Sequence, residues 1–195
     1  MKAPIFLDKN IKRIENFVEK YYEKERYLKN GYPIFSSIEL SINGACNRRC
    51  EFCPRVSKKD YPNLYQSLDF SVFEKMIDDL VKINFEGRIS FSGFCEPLLT
   101  KNINDYIKLI KLKLPKVNVD MVSNGDVITK KNFKKILEGL YNSGLDTIRL
   151  SLYDGPHQVE YFQKIKEKLK LKDNQLITRK RYLGPEESFG ITLCN

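Results

Sequence analysis

Cys46, Cys50 and Cys53 form a C-x3-C-x2-C array. Thiolates crowded in this way can grip one inorganic centre, but three of them do not complete the ligand set of an ordinary four-cysteine iron-sulfur site. An iron lacking a protein ligand is open to another molecule, so the pattern points to chemistry at a vacant coordination site. Zinc is the competing reading, because it takes four Cys or His ligands and often uses C-x2-C pairs. Cys95 or Cys194 is available to complete such a site in space, while the one histidine, His157, lies far along the chain. Spacing alone leaves both readings open. Five cysteines are an odd number for a disulfide framework.

The elements around this loop alternate between strands and helices. An amphipathic helix is expected over residues 10–29, with Ile11, Ile14, Phe17 and Tyr21 at helical spacing and Gly31-Tyr32-Pro33 as its breaker. A strand over 36–42 then delivers the cysteine loop. Ser71 and Glu74 stand at capping-box spacing, with Phe70 as a staple residue. Phe73, Met76, Ile77 and Leu80 form the inward stripe of the helix that follows. Further strands are expected over 88–93, 117–123, 147–152 and 176–183, with helices over 104–114 and 131–141 and another starting at Gly155-Pro156. Repeated crossovers give an α/β fold with a mostly parallel sheet and outer helices. Five strands cannot close an eight-stranded barrel, so an open partial (β/α) barrel is the expected architecture.

Strand ends in such a sheet share one rim. The cysteine loop, Gly93-Phe-Cys-Glu96-Pro97, Ser123-Asn124-Gly125 and the segment from Ser151 to Asp154 all follow strands. Arg179 and Arg181 lie on the polar fifth strand, on one face by alternation. Arg48, Arg49 and Arg55 could offset the negative charge of a thiolate-bound cluster. Phe52, between the last two cysteines, could pack on a planar base or cap the apolar side of the loop.

Through the three cysteines, Phe52, the Gly93 to Pro97 segment, Asn124-Gly125 and Ser151, residues 35–183 resemble the radical S-adenosylmethionine enzymes. The similarity is to the N-terminal core of members with a cysteine-rich C-terminal extension. It implies a [4Fe-4S] cluster on Cys46, Cys50 and Cys53, whose fourth iron takes the amino nitrogen and carboxylate of S-adenosyl-L-methionine. One electron then cleaves the sulfonium carbon-sulfur bond, giving methionine and a 5'-deoxyadenosyl radical that abstracts hydrogen from a peptide or small metabolite. An acidic electron donor such as flavodoxin or ferredoxin is the implied partner.

The resemblance also implies residue roles. Glu96 accepts from the methionyl ammonium, and Gly93 admits a close backbone approach. Asn124 contacts adenosine or orients the network, and Ser151 and Asp154 engage ribose. Arg179 or Arg181 pairs with the methionyl carboxylate. Each has a plainer role as a turn, cap or solvated residue. Cys95 departs from the glycine that often precedes the acidic residue, so the local turn is in question; packing is its plainer role. His157, beside a helix start, is no compelling base.

Apolar residues make up 42% and charged residues 30% of the 195, and no apolar run approaches membrane-spanning length. A cytoplasmic enzyme is therefore the expectation. The formal charge of +9 suits an acidic donor, a phosphorylated substrate or RNA, and equally a solvated lysine-rich surface. An RNA- or nucleotide-modifying enzyme and a non-catalytic zinc-binding or interaction module stand as alternatives. By organisation, residues 1–34 form an N-terminal helical extension, 35–183 the core, and 184–195 a tail or the start of a further region in which Cys194 is the first cysteine.

Overall fold

The computed structural model describes residues 28–29, 32–33 and 35–182. The chain divides after Ser36 into two compact units. In the first, Leu28–Lys29 pairs antiparallel with Tyr32–Pro33. The helix expected over 10–29 therefore does not run through its last two positions. The rest of that helix, the 184–195 tail and Cys194 lie outside the described residues.

The second unit is built on five parallel strands: β1 (Ser37–Leu40), β2 (Arg88–Phe91), β3 (Asn118–Ser123), β4 (Thr147–Leu152) and β5 (Leu176–Lys180). Their order in the sheet is their order in the chain. Helices α1 (Phe70–Lys82), α2 (Ile103–Lys113), α3 (Phe133–Asn142) and α4 (Pro156–Lys168) make the crossovers. Right-handed crossovers between strands laid down in sequence keep all four helices on one side. The result is the mostly parallel, helix-flanked partial (β/α) barrel that the pattern predicts.

Alternation along the strands separates two faces. Ile89, Phe91, Val119, Met121, Ile148 and Leu150 are fully buried and join Phe73, Ile77, Ile107, Ile110 and Leu137 in one core. The opposite face is polar. Glu39, Ser90, Asp120 and Thr147 stand in register across four strands.

Two local expectations change. The cap of α1 is Asp69, whose carboxylate accepts from the backbone N–H of Ser71 and Val72, so Ser71 and Glu74 do not form a capping box. Phe70 is the first helical residue and packs edge-on against Tyr106, and Glu74 pairs with Lys113 at 2.9 Å. The last strand ends at Lys180 rather than 183, because its partner β4 ends at Leu152. The Leu152 carbonyl takes its final rung from the Arg181 N–H at 2.8 Å. An unexpected antiparallel ribbon, Asn43–Gly44 with Leu64–Ser67, brackets the cysteine loop. Among the described residues no helix is long and apolar enough to cross a membrane.

Candidate functional site

The cysteine loop is held from both ends. Asn43 accepts from the Ala45 N–H at 2.7 Å and donates to the Glu96 carbonyl at 2.9 Å, tying the ribbon to the end of β2. Asn63 clasps Cys46 by accepting from its N–H at 3.2 Å and donating to its carbonyl at 3.0 Å. Between them the Cys53 N–H bonds back to the Cys50 carbonyl at 2.9 Å, and a short 3-10 turn, Pro54–Val56, closes the loop.

The three arginines brace this loop. Arg55 is buried, donating to the Phe94 carbonyl and to Asn63. Arg49 donates to the Arg55 carbonyl at 2.5 Å. Arg48 grips two carboxylates: Asp126, beyond β3, at 2.6 and 2.7 Å, and Asp154, beyond β4, at 2.5 and 2.7 Å. Such fork-to-carboxylate pairs are directional as well as strong. Arg48 also lies 5.2 Å from the Tyr153 ring centroid. All three guanidinium groups donate to protein partners, and Arg48 and Arg55 also line the cavity beside the cysteines. Arg55 retains a thiolate-favouring effect on Cys46, but burial is the larger influence and pushes that thiol up.

The loop forms one wall of a cavity of about 230 Å³ beyond the strand C-termini. Cys46, Cys50 and Cys53 line it, and so do Phe52, Gly93, Glu96, Asn124 and Ser151. Phe52 is half-exposed, with its ring 6.0 Å from that of Tyr153. Gly93 takes φ +93°, and a Cβ there would collide with Ser41 Oγ. Cys95, which also lines the cavity, is not among the residues with positive φ. The turn thus draws its left-handed residue from Gly93, and a side chain at 95 is accommodated. The Cys95 thiol contacts the Ser92 carbonyl at 3.5 Å, and burial pushes it up.

Glu96 is almost wholly enclosed, at 1% exposure. One carboxylate oxygen accepts from Ser123 Oγ at 2.8 Å and from the Leu98 N–H at 3.0 Å. The other accepts from the Asn124 N–H at 2.8 Å. A carboxylate has about four acceptor positions, so three donors leave one. Burial raises this carboxyl above the usual range, against the opposing effect of the three donors. Asn124 in turn donates to Asn47 at 2.7 Å, joining the end of β3 to the cysteine loop.

Three expected residues stand outside the cavity lining. Asp154 is exposed, and hydrogen bonding from the Arg48 guanidinium holds its carboxyl below the ordinary value. It also exchanges hydrogen bonds with Gln158 at 2.9 Å. Arg179 is in register with Ser151 and shares its face, and Arg181 follows beyond the strand end. His157 is exposed on the first turn of α4. Sequence reasoning missed Tyr153, Ser92 and Phe94 in the lining, along with the Asn43 and Asn63 clasps. Tyr153 continues the alternation through Arg149 and Ser151, a usable signal. The asparagines offered none, since their partners are distant in sequence.

Among the described residues no three His, Cys, Asp or Glu side chains are grouped to hold a single metal ion. The three thiols line one cavity, and a set of three thiolates could bind three irons of a cluster, one each.

Comparisons with known proteins place this site in context. Residues 40–175 match the model of the Radical SAM superfamily. S-adenosyl-L-methionine-dependent 2-deoxy-scyllo-inosamine dehydrogenase of Niallia circulans is 33% identical over 106 residues, covering 54% of this chain and 41% of that protein. The tungsten-containing aldehyde ferredoxin oxidoreductase cofactor-modifying protein of Pyrococcus furiosus is 26% identical over 113 residues, 58% of this chain and 29% of that protein. The crystal structure of BtrN in complex with AdoMet and 2-DOIA superposes with a TM-score of 0.63 at 27% identity, covering 75% of this chain and 57% of that one. The chain spans less than two thirds of the length of each of these relatives. Because the family model matches well over half of this chain, including the strands and loop that build the cavity, this chain belongs to the radical S-adenosylmethionine superfamily.

Proposed function

We propose that Cys46, Cys50 and Cys53 hold a [4Fe-4S] cluster, that S-adenosyl-L-methionine binds beside it, and that the chain catalyses hydrogen abstraction from a peptide or small-metabolite substrate. The observation that carries this reading is the meeting of three thiols with Glu96, Asn124 and Ser151 in one cavity at the strand C-termini. When bound, the cluster and S-adenosyl-L-methionine supply one-electron cleavage of the sulfonium and a 5'-deoxyadenosyl radical.

The residues then divide the work of binding and orientation. The remaining acceptor position of Glu96 takes the methionyl ammonium, while its other contacts fix it in place. Gly93 keeps the approach open. Phe52, backed by Tyr153, offers an aromatic face to adenine. Asn124 orients the polar network, and Ser151 takes the ribose. Asp154 serves at the same rim by fixing Arg48, and Arg179 or Arg181 receives the methionyl carboxylate. The electron comes from an acidic donor of the flavodoxin or ferredoxin type, to which a formal charge of +9 is complementary. The Niallia circulans relative is named for a small polar substrate, which favours a small metabolite here over a peptide.

Anaerobic reconstitution tests the reading. Iron and sulfide should load in the ratio of a cubane, and reduction with S-adenosyl-L-methionine present should release 5'-deoxyadenosine. Replacing Cys46, Cys50 and Cys53 together by alanine should abolish both. Zinc in place of iron, or a loaded cluster that never cleaves the cofactor, would overturn it.

A further inference from the structure

Two consecutive residues of the cysteine loop, Asn47 and Arg48, reach out of it to the ends of β3 and β4. Asn47 donates to Asp126 at 3.0 Å and accepts from Asn124 at 2.7 Å. Arg48 uses both edges of its guanidinium. Nε and Nη2 meet the two oxygens of Asp126, while Nη1 and Nη2 meet those of Asp154. A planar fork of N–H donors can hold two carboxylates edge-on at once, which a lysine ammonium cannot do. The Arg48 side chain is 15% exposed, against 27% for Asp126 and 40% for Asp154. It is therefore a sheltered positive charge between two acids that would otherwise repel one another.

The clamp joins two sets of cavity residues. On the loop side are the three cysteines, and the Arg48 backbone N–H itself turns to Cys46 Sγ at 3.5 Å. On the strand side, Asn124 stands just before Asp126, and Ser151 and Tyr153 just before Asp154. We infer that Arg48 is a positioning residue that holds the cysteine loop in register with the cofactor-facing ends of β3 and β4, and that Asp126 and Asp154 act on the cofactor through it. The inference rests on the radical-enzyme reading above. Asp154 then has opposite effects in two backgrounds. With Arg48 present the acid anchors the guanidinium; without it, Asp154 is a second negative charge facing Asp126 and drives the rim apart. A direct contact from Asp154 to ribose would instead favour binding in both.

Equilibrium dialysis of S-adenosyl-L-methionine against the cluster-loaded full chain, without reductant, tests this as a double-mutant cycle. Iron and sulfide are measured on every sample. Arg48→Met should load its cluster and bind the cofactor about tenfold more weakly, the scale of losing hydrogen bonds between charged groups. Arg48→Lys restores the charge without the fork and should bind between Arg48→Met and wild type. Asp154→Asn should weaken binding on its own, yet leave it unchanged or improve it when added to Arg48→Met. A further loss in that double variant, or wild-type affinity in Arg48→Met or Asp154→Asn, would overturn the inference. So would an Arg48→Met chain that takes up no cluster, because the clamp would then serve the cage alone. Asp154 is exposed, so its variant should fold whatever its effect on binding. Wild type that loads iron but binds no S-adenosyl-L-methionine would sink the underlying enzyme assignment, whereas normal wild-type binding with an additive cycle would sink the positioning role alone.

Discussion

Replacing Glu96 by glutamine removes one oxygen and a charge while keeping the shape. Its two fixed donors, the N–H groups of Leu98 and Asn124, address different carboxylate oxygens. Whichever way a glutamine amide is turned, its NH2 must face one of these backbone N–H groups. Ser123 can rotate its hydroxyl; the backbone cannot. A lost hydrogen bond to a charged group is worth about 1.5–3 kcal/mol, and an orphaned buried donor adds to it, so the variant should lose about 3 kcal/mol. The site is 1% exposed, which leaves little solvent to soften the loss. For a chain of this size, that corresponds to a fall in Tm of about 6–12 °C.

The same substitution has a pH signature. Because burial raises the Glu96 carboxyl above its unfolded value, the folded chain holds this proton to higher pH than the unfolded chain does. Its contribution to stability is then greatest below the ordinary carboxylate range. It declines as pH rises through the raised folded value, and levels off above it. Glutamine lacks that proton, so the stability gap between wild type and Glu96→Gln should narrow with rising pH and then stay constant. Urea unfolding of the metal-free chain across pH measures it. A gap below about 1 kcal/mol at neutral pH, or one that widens with pH, would refute the reasoning.

Arg48→Met should release the cysteine loop from Asp126 and Asp154, raising hydrogen exchange of amides 47–53 by about tenfold or more, as expected for losing hydrogen bonds to charged groups; unchanged exchange would count against the clamp. The clamp's Asp154 component is fully present above the unfolded carboxylate value of about 3.9 and should be lost as pH falls through its lower folded value, seen as acid-induced loosening of the same amides. Gly93→Ala should cost at least about 1–2 kcal/mol for its left-handed backbone, and more for the clash with Ser41, by thermal denaturation. Cys95→Ser should load as much iron as wild type, whereas Cys50→Ser should not; equal losses would make Cys95 a ligand.

Much of the core was legible because it rests on local signals. Alternating Ile89-Phe91 and Ile148-Leu150 announce strands, and Pro156 marks the start of α4. The cysteine spacing and the placement of Glu96, Asn124 and Ser151 at strand ends followed from the same order. The cap of α1 was misassigned because Asp69 and Ser71 both suit an N-cap, and only the backbone decides which carboxylate or hydroxyl reaches the free N–H groups. The clamp made by Arg48 was not legible, because its partners, 78 and 106 residues away, meet only once β3 and β4 lie side by side. The Asp154 half of the clamp was hidden for the same reason: its guanidinium partner lies 106 residues back in the chain.

The period of two along each strand makes the central sheet sensitive to length. One residue inserted early in β3 would turn Asp120 and Val122 toward the helices and swing Val119 and Met121 onto the opposite face, exchanging the two surfaces in a single step. Insertions in the segments after the strands carry no such parity. Changes in chain length can therefore accumulate at the rim where chemistry is selected, while the strands themselves must keep their count.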